Sequence, residues 1–238
     1  MFNYPKRKKF AKRYNNVVKL KVSNEEKFTL IWNRNIWSSR ESKSGPGSTL
    51  GVTMRFREDL PLILEEFEVK RVFDGPCGDF HWMKEIDLNG ISYVGGDIVK
   101  PLIEELNQKY LSETISFVHH DLTQDRIPDC DLVINRDCLF HFSYADICLF
   151  LSKFIESGAK FLLTTSHDNF NGFKNSDIIT GDFRLLDLFA APFCFPKEYL
   201  FKVPEPGDFD LPSRGIFLWN REQVITAYDK LYSYISGL

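Results

Sequence analysis

Three aspartates close three apolar runs: Asp74 after Val72-Phe73, Asp97 after Tyr93-Val94-Gly95-Gly96, and Asp121 after Phe117-Val118-His119-His120. A carboxylate accepts hydrogen bonds at two oxygens and attracts cations. A row of them suits a ligand that carries hydroxyl and amino groups and positive charge. Asp74 opens the string Asp74-Gly75-Pro76-Cys77-Gly78-Asp79-Phe80, in which Gly75 and Gly78 let a ligand approach the backbone closely. Asp97 follows Gly78 by roughly 20 residues, the separation at which an acid grips ribose hydroxyls. A single aspartate at a strand end reads equally well as a turn former or helix cap. Three in succession point to a nucleoside.

A fourth apolar run ends in Asn135-Arg136-Asp137-Cys138-Leu139-Phe140-His141. Neutral imidazole is available near pH 7, so His141 is the first candidate for a proton acceptor. Asp137 either orients it or is the base itself, and Arg136 suits a paired contact to an anionic acceptor. The alternative is an Arg136–Asp137 ion pair, with His141 capping the next helix. His167, after a fifth run, either reaches the acceptor or is an ordinary loop histidine. The stretch 38–53 is a lid or a surface linker; Trp37, Arg40, Ser44 and Ser48 would contact substrate, with Gly45 and Gly47 as hinges. His119 and His120 are adjacent on a strand and point to opposite faces, so no metal site is expected. Cys138 reads as a small packing residue.

These residues need elements to bring them together. Strands are predicted over Arg71–Asp74, Ile91–Asp97, Ile115–His119, Asp131–Asn135 and Ala159–Thr165, with helices over Lys100–Leu111 and Tyr144–Ile155. Phe80–Ile86 is predicted as a further helix. Alternating strands and helices imply a mostly parallel sheet with helices on both faces. Leu200–Val203 and Ile216–Trp219, joined by a Pro/Gly-rich loop, add two strands and an antiparallel edge, making seven, before a C-terminal helix over Asn220–Ser233. Upstream, Glu25–Trp37 and Thr49–Phe67 read as helical, with Pro61 marking a break or the start of a second helix. Residues 1–54 thus form a basic tail, a helix and the lid, and 55–238 the α/β domain.

Composition limits the partners. The 238 residues suit one α/β domain with a small appendage, and the net charge of −3 gives no general case for nucleic acid. The N-terminus is locally basic, with Lys6, Arg7, Lys8, Lys9, Lys12 and Arg13, either as a solvated tail or as a contact for a phosphate-bearing partner. Five cysteines without a C-x-x-C pair argue against a disulfide framework and a zinc cluster, and point to a reducing cytoplasm. No apolar run reaches the length of a membrane span.

The string from Asp74 to Phe80 resembles the first motif of the class I S-adenosylmethionine (SAM)-dependent methyltransferases, with Asp74 as the acid and Gly78 as the middle glycine. Pro76 and Phe80 stand where glycines are usual. The longer string Asp-x-Pro-Cys-Gly-Asp-Phe-x-Trp-Met, with Arg-Asp-Cys-Leu-x-His, is similar to a narrower branch associated with bacterial surface-polysaccharide and small-metabolite modification. The resemblance implies a Rossmann-like class I methyltransferase fold with SAM as cofactor. It sets Asp74 and Gly78 near the methionine part, Asp97 on the ribose and Asp121 with Leu122 at the adenine, with Gly75, Pro76, Ile98 and Arg136 as further cofactor contacts. The acceptor would be a small molecule, anionic or glycan-like: a sugar, a sugar nucleotide or a phosphorylated metabolite methylated on O or N. Chemistry favours SAM over a dinucleotide as well, because Pro76 lacks an N–H and Asp79 adds negative charge where a diphosphate would lie. A nucleic-acid methyltransferase and a catalytically inactive SAM-binding module are the alternatives.

Overall fold

The computed structural model describes residues 14–37, 39–207 and 211–237. The basic cluster from Lys6 to Arg13 lies outside the described residues. Seven strands, β1 (Arg71–Asp74), β2 (Ser92–Asp97), β3 (Ile115–His119), β4 (Leu132–Asn135), β5 (Phe161–His167), β6 (Phe201–Glu205) and β7 (Arg214–Asn220), form one sheet in the order β3-β2-β1-β4-β5-β7-β6. The first five are parallel; β7 runs antiparallel between β5 and β6.

Alternation of side chains across the pleat divides the core in two. Val72, Leu132 and Ile134 pack on one face with α2 (Met54–Glu66) and α3 (Lys100–Tyr110), through Phe56, Leu60, Leu102 and Leu106. Phe73, Val133 and Leu162 pack on the other with α4 (Tyr144–Ser157) and α5 (Arg221–Ser236), through Phe150, Phe154, Val224 and Leu231. Phenylalanine is common in the chain, at 22 residues, and Phe56, Phe73, Phe150 and Phe154 are spent in this core. Ser143 starts α4 by accepting from the Asp146 N–H, and Gly158 ends it at φ 78°. Upstream, α1 (Asn24–Asn33) starts from a capping box of Ser23 and Glu26.

Two sequence expectations need correction. Phe80–Ile86 is not a helix but a turn ending in a short 3-10 segment, Met83–Glu85; Phe80 itself takes φ 57°, which no helix accommodates. Pro61 does not break its helix. It sits inside α2, whose buried Phe56, Leu60, Ile63 and Leu64 hold it against the sheet. Packing outweighs the lost backbone donor.

Candidate active site

Parallel strands deliver their carboxyl ends to one sheet edge, and a cavity of about 390 Å³ opens there. One half is walled by Cys77, Gly78, Asp97, Ile98, Asp121 and Leu122. The turn after β1 is held by Asp97, whose carboxylate accepts from the Gly78 N–H at 3.2 Å and the Val99 N–H at 3.0 Å. Asp97 therefore fixes the wall as well as lining it. Burial raises its pKa to about 6, against the pull of those donors. Asp121 also lines the cavity, with Oδ1 accepting from the Thr123 N–H and hydroxyl. It is a turn former, as the plainer reading held, and a wall residue too.

Gly78 is at φ 56°, and a Cβ there would collide with the Ser44 hydroxyl. This close approach comes from a clasp. Asp79 accepts from the Ser42 hydroxyl at 2.9 Å, the Lys43 N–H at 2.9 Å and the Ser44 hydroxyl at 3.2 Å, while its own N–H donates to Ser44 at 2.9 Å. The segment 42–48 is thereby pinned over the turn, and Ser44, Gly45, Pro46, Gly47 and Ser48 line the cavity. The Asp79 clasp was missed in sequence because Asp79 reads there only as charge beside a turn.

The second half lies beyond β4 and β5. His141 is half-buried among Trp37, Phe140 and Phe183, at ring-centroid distances of 5.5, 4.7 and 5.9 Å. Its Nδ1 lies 2.8 Å from the Asp182 carbonyl oxygen. A carbonyl only accepts, so Nδ1 carries the proton of the neutral ring. Nε2 keeps a lone pair, with no hydrogen-bond partner among the described residues. Burial lowers the pKa of His141 and favours that neutral form. His167 is fully buried, and its Nδ1 accepts from the Leu186 N–H at 3.2 Å. Burial, with Arg214 close by, lowers its pKa to about 4.

Behind this half runs a buried charge cluster. Arg136 donates to Glu205 at 2.9 and 2.8 Å and to the Gly47 carbonyl at 2.8 Å, and its third nitrogen is 3.3 Å from Asp137. Arg214 donates to Glu205 at 3.0 Å and to Asp137 at 2.9 Å. Burial pushes the Asp137 carboxyl up, but Arg136, Arg214 and His167 outweigh it and hold it below the ordinary carboxylate value. Asp137 stays ionised and engaged.

Of the expected site residues, Pro76, Gly78, Asp97, Ile98, Asp121, Leu122, Arg136, Asp137, His141, His167, Trp37, Ser44 and Ser48 meet around this cavity. Asp74, Gly75 and Arg40 are outside the lining. Asp74 lies behind the wall and accepts from the Tyr93 hydroxyl at 2.7 Å; Gly75 is tied at both backbone groups, to Ile134 and Asn135. Arg40 is exposed to solvent. The anion-holding role expected of Arg136 is corrected too: its guanidinium is committed to Glu205, Asp137 and Gly47, and the plainer ion-pair reading describes it.

Glu205 and Arg214 were missed. They face each other across the β6–β7 pair, a register that no local pattern reveals. The one sequence signal is charge at the ends of two apolar strands. Among the described residues no group of three or more His, Cys, Asp or Glu is placed to hold a metal, and no helix is long and apolar enough to cross a membrane.

No family model matches the chain, and no curated protein matches its sequence. Solved structures do match. A SAM-dependent methyltransferase of Leishmania major gives a TM-score of 0.62 at 12% identity, covering 85% of this chain and 86% of that one. The magnesium protoporphyrin IX methyltransferase of Synechocystis with bound SAM gives 0.58 at 13% identity, over 85% of this chain and 99% of that chain. The 1,6-didemethyltoxoflavin-N1-methyltransferase of Burkholderia thailandensis, with bound 1,6-didemethyltoxoflavin and S-adenosylhomocysteine, gives 0.56 at 16% identity, over 88% and 89%. With the strand order above, these likenesses show a Rossmann-like class I methyltransferase fold.

Proposed function

We propose that this chain transfers a methyl group from SAM to an oxygen or nitrogen of a small molecule. The observation that carries the reading is one cavity joining a carboxylate-lined half, floored by Asp97, to a half that presents an imidazole nitrogen free to accept a proton.

The first half suits the chemistry of SAM. Among the described residues, its carboxylates, Asp97 and Asp121, have no uncompensated lysine or arginine beside them on the wall, since Arg136 and Arg214 are both engaged. That balance favours a cationic nucleoside and disfavours a diphosphate. Asp97 would take the ribose hydroxyls, Asp121 and the Leu122 N–H the adenine, and the Gly78 turn with the clasped segment 44–48 the methionine end. Ile98, Val99, Leu102 and Leu122 supply apolar faces for a purine. Bound SAM supplies an electrophilic methyl group on a sulfonium. The chain's own work is to exclude water, align the acceptor and accept its proton at His141 Nε2.

Titration calorimetry with S-adenosylhomocysteine tests this reading. Micromolar binding is expected, weakened by Asp97→Asn; an absence of binding would remove it. Binding without turnover over a broad acceptor screen would favour a catalytically inactive module.

A further inference from the structure

We infer that the acceptor is a neutral aromatic molecule whose reacting hydroxyl has a hydrogen-bond-accepting atom, such as an ether or carbonyl oxygen, next to it on the ring. This rests on the methyl-transfer reading above and names its substrate class.

Two histidines in the same half of the cavity are held in opposite tautomers. Nδ1 of His141 donates to the Asp182 carbonyl oxygen, so its Nε2 is an acceptor. Nδ1 of His167 accepts from the Leu186 N–H, so its Nε2 carries hydrogen and is a donor. Both rings pack on Phe140, at 4.7 and 5.2 Å, and on Phe183, at 5.9 and 6.3 Å, so one small molecule can span them. Burial keeps both neutral, which preserves the pairing of one acceptor with one donor.

The remaining walls select the rest of the molecule. Phe28, Trp37, Phe140, Phe142 and Phe183 line this half and favour a flat apolar body. Its charges cancel: Arg136 and Arg214 are matched by Asp137 and Glu205, leaving no lining cation among the described residues for a carboxylate or phosphate. A sugar is disfavoured for a related reason. Its rim of hydroxyls would meet mainly aromatic carbon, and the Asn24 Nδ2 is already given to Asp146.

In the reaction the acceptor's oxygen bonds to the methyl carbon, and the carbon–sulfur bond breaks to leave a neutral thioether. The hydroxyl proton passes to Nε2 of His141 and from there to water. His167 keeps its hydrogen and donates it to the neighbouring atom, which fixes the ring's rotation.

The test is calorimetry on the full chain with S-adenosylhomocysteine present, using four probes: guaiacol, whose ether oxygen adjoins its hydroxyl; its para isomer; methyl glucoside; and glucose phosphate. Guaiacol is expected to bind about tenfold tighter than its para isomer, with the two sugars weakest. In His167→Phe that preference should fall to about twofold or less, while His167→Gln, which restores an N–H, recovers part of it. His141→Gln should abolish turnover and leave the preference in binding intact. Unchanged affinity for S-adenosylhomocysteine shows that the variants are folded. Preferential binding of either sugar, equal binding of the two phenols, or a preference that survives His167→Phe would overturn the inference. Failure of S-adenosylhomocysteine itself to bind would instead overturn the methyl-transfer reading on which it stands.

Discussion

At the scale of the residue, the site turns on two groups whose ionisation decides what they can do. A proton acceptor must be neutral to act. The pKa of His141 is lowered by burial, so kcat/KM should hold steady through neutral pH and fall only below the ordinary imidazole range, as the ring gains its proton. His141→Ala should lower kcat by about 10²–10⁴-fold with cofactor affinity unchanged, measured by turnover and calorimetry side by side. Asp97 runs the other way, since it is useful when ionised. Its pKa is raised to about 6, so SAM affinity should strengthen as pH rises through that value; in Asp97→Asn it should be flat with pH and weaker by about tenfold or more. A pH-independent affinity in the unaltered protein would count against Asp97 at the ribose. That both line the cavity was legible in the sequence, because an acid at the end of β2 and a histidine shortly after β4 are marked by type and position. Arg136 was misread for the converse reason: its partner Glu205 is 69 residues away, and only the folded sheet brings them together.

At the scale of the element, turns and clasp do the positioning. The strands β1 to β5 were readable within a few residues, since parallel strands, largely buried except for β3 at the edge, appear as short apolar runs ended by polar punctuation. The turn after β1 was not. Phe80 occupies a left-handed conformation where a helix was expected, and the residues around it are held by partners far along the chain. Asp79→Ala removes the acceptor for Ser42, Lys43 and Ser44 at once. The segment 39–48 should then be cut more readily in limited proteolysis, and cofactor affinity should fall about tenfold, with thermal stability changed by only about 1 kcal/mol. Gly78→Ala is expected to be harsher, because φ 56° strains any side chain and the new methyl meets Ser44. Cofactor binding should be lost before the fold is, as judged by calorimetry against circular dichroism.

At the scale of the whole molecule, the buried cluster of Arg136, Asp137, Glu205 and Arg214 joins β4, the β6–β7 hairpin and the clasped segment through the Gly47 carbonyl. Breaking one member strands its partners. Glu205→Gln should cost about 3–5 kcal/mol in denaturant unfolding, and the double replacement of Glu205 and Arg136 by apolar residues should cost less than the single change. An additive double variant would show that the pair is not coupled. The two halves of the cavity also differ in what carries them. The half lined by Asp97 and Asp121 is made by turns welded to parallel strands, whereas Phe183 stands on an irregular stretch between β5 and β6, and Pro206, Gly207 and Leu211 stand on the hairpin tip. Insertions or trimming at those two places can remould one wall without disturbing the other. On the proposed function, a lineage built on this chain would be free to trade one acceptor for another while keeping the same site for the methyl donor.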